Sequence, residues 1–388
     1  NELTATTSLA ILTIFMTNDS TETIEKDLEF FITFINQCLD SDIPILQEMS
    51  CYLLQNSQLI KSKSMKYNFS KFVPSFIQKV VVLITSENTF KNVRFKAIDS
   101  LFSLYEIETS SKDNYNSPFY GGLYNQIIQS QNLFSKDDFD SFVSCQTISI
   151  FLDPTITNEQ LIEAYQFVNE VLTTSDDDTL LSKCFILFNS ILFSNFQLKR
   201  RIEFDYLFTL PIIESILTQK NDSTVLIKSV LRFINNIIFF YKKNAFDFEQ
   251  ICIKLLVPFI STINETSLKI ELVNIISNAS KLTSNVDGAN SIAVVIFDLI
   301  DSDRLQKIKD VFLYSKAIIK LLNTDNLYHL FEVSMSFIYH NDDKSLIEES
   351  ILIVNKIVKF YLSVEGEKDT SIIDAVYKLI HDFIEKEL

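Results

Sequence analysis

Three histidines, His329, His340 and His381, are the only side chains of this sequence whose ordinary titration falls near neutral pH. His329 and His340 stand 11 residues apart, not at the i, i+3 or i, i+4 spacing that lets two imidazoles of one helix share a metal. His381 and Asp382 are adjacent, so on a helix they point in different directions. Glycine occurs only at positions 121, 122, 288 and 366, which leaves no room for a nucleophile elbow, a phosphate loop or a dinucleotide fingerprint. The carboxylate pairs Glu348-Glu349 and Asp342-Asp343 read as solvated surface charges. No catalytic residue, metal site or cofactor is expected, and the chain reads as a non-enzymatic protein.

Recognition is the chemistry the remaining residues support. An asparagine side chain offers a donor and an acceptor to a peptide backbone, and asparagines close a recurring helical pattern at Asn56, Asn189, Asn236, Asn278 and Asn355. The same marker position holds Leu101, Ser149 and Lys320 in the other copies, so successive markers lie 35 to 48 residues apart. Four residues earlier, on the same helix face, stand Tyr52, Phe185, Arg232 and Asn274, with Ala97, Cys145, Lys316 and Ile351 in the remaining copies. Tyr52 and Phe185 are placed to flank a cationic side chain with their ring faces, whereas Arg232 and Lys316 would repel one. Asn189, Asn236 and Asn278 fall in three consecutive copies, the longest run in which the amide is kept.

The elements that must hold these residues are helices. Four glycines and six prolines in 388 residues are far below average usage and too few for the turns of a strand-rich fold. An apolar-Pro-apolar step opens a helix at Pro74, Pro211 and Pro258, since the first helical position tolerates the missing N–H. Phenylalanine is abundant, with 34 copies, and clusters such as Phe30, Phe31, Phe34 and residues 237–241 read as buried seams between helices. The spacing matches armadillo or HEAT units better than the shorter tetratricopeptide or ankyrin repeats. The expected fold is all-α: a single elongated domain over 1–388, a right-handed α-solenoid of about eight armadillo/HEAT-like repeats, with a loop insertion at 110–122 and a capping helix at 372–388.

The pattern resembles the armadillo-repeat family and, within it, importin alpha, whose third helices carry a Trp-x-x-x-Asn array along a concave peptide groove. Phe185 to Asn189 and Tyr52 to Asn56 resemble that array with other aromatics, and Asn274 to Asn278 resembles its asparagine half; the sequence has no tryptophan. The resemblance implies a nuclear import adaptor whose partners are importin beta and nuclear cargo. An extended basic peptide would then bind along Tyr52, Asn56, Phe185, Asn189, Arg232, Asn236, Asn274, Asn278 and Asn355. The alternative reading is a regulatory or chaperone-type scaffold subunit that recognises a folded protein.

Charge bears on the partner. The 34 basic against 50 acidic residues give a net charge of −16, a field that attracts basic partners and repels nucleic acid and anionic membrane. Cys38, Cys51, Cys145, Cys184 and Cys252 are odd in number, scattered and set in apolar stretches, as expected of reduced core thiols in a cytoplasmic or nuclear protein. The longest apolar run, 291–300, is short for a membrane span. The opening residues Asn1-Glu2-Leu3-Thr4 lack both a methionine and the basic region of a signal peptide, so they do not read as one, and a trimmed start is left open.

Overall fold

The structure is a computed structural model. It describes residues 2–17, 27–60, 63–110, 120–197, 199–200, 202, 204, 209–220, 222–240, 255–259, 263, 265–301, 305–340, 342–363, 374, 377–378 and 381. Among these there is no strand, and the protein is all-α. Most of the expected insertion at 110–122, most of the expected cap at 372–388, Cys252 and Lys242-Lys243 lie outside the described residues. The chain divides into two compact units, residues 1–203 and 204–388.

The first unit contains helices α1 (Glu2–Thr17), α2 (Leu28–Leu39), α3 (Pro44–Gln55), α4 (Lys63–Ser70), α5 (Val73–Thr85), α6 (Lys91–Ser110), α7 (Leu123–Gln129), α8 (Phe139–Leu152), α9 (Asn158–Thr174) and α10 (Asp178–Gln197). Helices α1, α3, α6, α8 and α10 each touch the next in that series. Most of them also pack against a helix adjacent in sequence: α3 on α2, α6 on α5, α8 on α7 and α10 on α9. The sequence explains the arrangement. Helix α5 buries Phe76, Ile77, Val80, Val81 and Ile84 along one side but leaves Val82 exposed, a single apolar stripe. Helix α8, which contacts both α6 and α10, buries Phe142, Val143, Cys145, Ile148, Ile150 and Leu152 around nearly its whole circumference.

Where α6 approaches α3, a small polar side chain fills the contact. Ser100 of α6 is fully buried, and its Oγ lies 2.6 Å from the carbonyl oxygen of Cys51 on α3 and 2.7 Å from that of Lys96 in its own helix, so one proton is shared between two acceptors. Ser50, Ser277, Ser315 and Ser350 are buried at 0% exposure on α3 and on helices of the second unit.

The second unit contains α11 (Leu210–Gln219), α12 (Thr224–Phe240), α13 (Thr266–Thr283), α14 (Val286–Asp301), α15 (Leu305–Ile318), α16 (Thr324–His340) and α17 (Lys344–Ser363). Helices α12, α13, α15 and α17 form a series of neighbours, with α11 on α12, α14 on α13 and α15, and α16 on α17.

Helix starts follow the proline rule: Pro44, Pro74 and Pro211 occupy first-turn positions of α3, α5 and α11, while Pro258 lies within a helical turn over 255–259. Scarce glycine is replaced at left-handed positions by Ser284 (φ 57°), which closes α13, and by Lys199 (φ 52°). Gly122 (φ 80°) is the N-cap of α7 and is one position where glycine's freedom is used.

Helix α10 is long and apolar enough to cross a membrane by length and composition, with 56% of its window buried inside the protein. Its burying partners are α8 and α9, as for a core helix.

Candidate functional site

The residues expected to line a groove sit on α3, α10, α12, α13 and α17 of the two helix series just described, with Asn56 directly after α3. In the first unit they do not form one exposed line. Tyr52 is exposed, but Lys96 of α6 holds its ammonium 6.0 Å from the centre of the Tyr52 ring and donates to Gln55 Oε1 at 3.5 Å. The ring face expected to receive a ligand's cation is thus occupied by the protein's own. Lys183 of α10 lies over Phe102 of α6 in the same way, at 5.6 Å.

Asn56 is the C-cap of α3, and its Nδ2 donates to the carbonyl oxygen of Tyr52 at 2.7 Å, closing its own helix. Phe185 is fully buried, which corrects its assignment as a groove aromatic: the ring belongs to the core of the first unit. Asn189, one helical turn later, is half-buried. In the intervening copies Ala97, Leu101, Cys145 and Ser149 are buried, so on α6 and α8 the repeating frame faces inward. Asn189 belongs to the first unit and Asn236 and Asn278 to the second.

The second unit presents its marker positions more consistently. Arg232 is exposed and Asn236 half-buried on α12, Asn274 and Asn278 are half-buried on α13, and Asn355 is exposed on α17. Asn278 Nδ2 donates to Asn274 Oδ1 at 2.8 Å. That pairing leaves the Asn274 amide hydrogens and the Asn278 carbonyl oxygen for other partners.

Lysines stand on the same helix and on the helices that follow it. Lys281 closes the last turn of α13, Lys316 that of α15, and Lys320 stands in the 3-10 turn Ile319–Leu321 that follows. Lys356 of α17 donates to the carbonyl oxygen of Lys316 at 3.1 Å. Lys316 pairs with Glu349 of α17. Burial, followed by the ammonium groups of Lys316, Lys281 and Lys320, holds Lys356 below the usual lysine range. Sequence reasoning singled out Lys316 and Lys320 only as interruptions of the ladder and missed Lys281 and Lys356. The signal was there: Lys281 lies three residues after Asn278 and Lys356 one after Asn355.

Helix α13, which carries the asparagine pair, is anchored at its start. Glu265, its N-cap, accepts from Thr224 Oγ1 at 2.8 Å and from Lys228 Nζ at 3.2 Å, both on α12, and from Ser267 Oγ. The bonds to Ser267, Thr224 and Lys228 bring the Glu265 carboxyl down from 4.5 to about 2. Because the folded-state value is the depressed one, the unfolded chain takes up the proton first. This contribution to stability is complete above about pH 4.5 and is lost as pH falls toward 2. Acid titration followed by circular dichroism should show Glu265→Gln losing part of the wild-type pH dependence in that window. Parallel curves for the two proteins would contradict the anchor.

The histidines and cysteines are placed as follows among the described residues. No group of three His, Cys, Asp or Glu side chains comes together to hold a metal. His329 packs edge-on against Phe297, ring centres 4.3 Å apart, and its Nδ1 is 3.9 Å from Glu332. Cys38, Cys51, Cys145 and Cys184 are buried and unbridged, and burial pushes the thiols of Cys51, Cys145 and Cys184 up to about 12, which suppresses the reactive thiolate. An open cleft of the first unit, about 580 Å³, is lined by Leu39, Asp42, Pro44, Val82 and Phe90 and flanked by the pair between Asp40 and Lys79.

Comparison with protein-family models finds none that matches the chain, and comparison with curated proteins finds none similar in sequence.

Proposed function

We propose that this chain is a non-enzymatic protein-interaction scaffold, in which armadillo- or HEAT-like helix pairs stack as a right-handed α-solenoid and a helix series receives the partner. The observation that carries this reading is the arrangement within each unit: a series of neighbouring helices, α3, α6, α8 and α10 or α12, α13, α15 and α17, with a sequence-adjacent helix packed on its members. Stacked repeats of this kind expose a long ligand-binding face. Cytoplasm or nucleus is the setting we propose.

Two partners fit such a face. The net charge of −16 favours an extended basic peptide and a role as an import adaptor with importin beta and nuclear cargo. The occupied ring of Tyr52 and the burial of Phe185 favour the second, a regulatory or chaperone-type scaffold for a folded protein, and we adopt it. Two measurements separate them. Titration with a lysine-rich nuclear localisation peptide at low salt should give no saturable binding, and affinity purification from the native cell should return one stoichiometric protein. Tight peptide binding that weakens with salt, together with recovery of importin beta, would overturn this choice in favour of the import adaptor.

A further inference from the structure

We infer that the cleft between the α2–α3 turn and α5 of the first unit binds an exposed, arginine-bearing segment of the partner protein, the Phe90 ring and the Asp42 carboxylate receiving the guanidinium and Val82 and Pro44 an apolar neighbour. This rests on the scaffold reading above and assigns the chemistry of what that scaffold holds.

The first support is the cleft itself. Its volume of about 580 Å³ falls within the range of about 300–1,000 Å³ usual for ligand sites. On its walls Val82 is 59% and Phe90 63% exposed, large apolar side chains left uncovered. The walls themselves are held in place. The pair between Asp40 and Lys79 ties the end of α2 to α5. The Arg94 guanidinium of α6 donates to the carbonyl oxygens of Ile84 at 3.0 Å, Ser86 at 2.9 Å and Thr89 at 3.3 Å, which fixes the turn leading to Phe90. A site formed before its ligand arrives loses less ordering entropy on binding.

The second support is charge. Lys79, the lysine that lines the cleft, is neutralised by Asp40. Asp42 on one wall, and Glu87 between Ser86 and Asn88 of the other, are exposed, and among the described residues neither has a hydrogen-bond or ion-pair partner. An entering cation therefore meets uncompensated negative charge, and the net charge of −16 draws it in. The Phe90 ring, unlike that of Tyr52, has no cation over it among the described residues. Arginine suits this pairing. Its planar group stacks on an aromatic face, its fork bonds a carboxylate, and it is more weakly hydrated than lysine.

The test uses the full chain and a labelled pentapeptide with blocked ends, Ala-Leu-Arg-Leu-Ala, read by fluorescence anisotropy at low salt. The peptide should bind saturably. D42N and F90A should each weaken it about threefold, and D42N/F90A about tenfold, with an unchanged thermal midpoint of the free protein because both side chains are exposed. The same peptide with lysine in place of arginine should bind wild type more weakly. D222N/V225A, which removes the same charge and an exposed apolar side chain from the second unit, should bind the arginine peptide as wild type does.

Absence of saturable binding, or equal weakening by D222N/V225A and D42N/F90A, would overturn the inference. So would N-acetylarginine amide binding as tightly as the pentapeptide, which would make the cleft a small-molecule site. A wild-type dimer that D42N/F90A dissolves in sedimentation would overturn it too, as an interface between copies. In each of those cases a stoichiometric partner still recovered from cells leaves the scaffold reading standing, and its absence removes that reading as well.

Discussion

Replacing Phe185 by alanine should destabilise the first unit by about 3–5 kcal/mol, the range for truncating a fully buried phenylalanine. Phe185 lies on α10 with Leu181, Cys184, Leu187, Phe188, Ile191 and Leu192, all buried. Helix α10 is gripped by α8 and α9. Truncation leaves a void that close-packed neighbours fill only partly. Tyr52→Ala is the matched control, because Tyr52 is exposed and its loss forfeits the cation–π contact with Lys96, about 0.5–1 kcal/mol at an exposed site. Urea unfolding read by circular dichroism measures both. A groove aromatic would give the opposite result, with Phe185→Ala leaving the urea midpoint in place, and that outcome would return Phe185 to the binding surface.

Asp153→Ala should cost about 1–3 kcal/mol, since it removes the acceptor from the buried Tyr124 N–H and from the part-buried Thr155 donors at once. Asp153 follows α8 and is 3% exposed. Its Oδ2 accepts from the Tyr124 N–H at 3.0 Å, and its Oδ1 accepts from the Thr155 N–H at 2.8 Å and the Thr155 hydroxyl at 2.7 Å. Thr155 Oγ1 in turn accepts from the Gly122 N–H at 3.1 Å. Gly122 has no side chain with which to cap α7, so the carboxylate that follows α8 does so, satisfying an amide of the first turn and placing negative charge at the positive end of the helix dipole.

Asp153→Asn keeps one oxygen acceptor and turns an amide toward the remaining donors, so its loss should be smaller than that of alanine. Hydrogen exchange at the Tyr124 and Thr155 amides should accelerate in both variants. Unchanged protection there would show that α7 is held by its packing on α5 and α8 alone. Neighbouring α9 carries its own reciprocal cap, with the Thr157 N–H donating to Gln160 Oε1 at 2.7 Å and the Gln160 N–H to Thr157 Oγ1 at 3.2 Å, and should be insensitive to Asp153.

The sequence by itself determined the secondary-structure class, because that rests on local chemistry. Few glycines, prolines at Pro44, Pro74 and Pro211 in first turns, and apolar stripes of helical period such as that of α5 act within a few residues of where they stand. It also contained the asparagine at Asn278 and the lysines beside it, since their spacing along one helix is local too.

Tertiary structure decided which face of each helix is covered. Phe185 and Tyr52 occupy the same place in the recurring pattern, yet one is buried and the other exposed. A helix pressed between two neighbours buries nearly all sides, and the burial of Ala97, Leu101, Cys145 and Ser149 on α6 and α8 follows from contacts the spacing does not encode. The cleft of the first unit was hidden for the same reason. Asp42 and Phe90 are 48 residues apart in the chain, and only the packing of α2 on α5 brings them to the walls of one cleft.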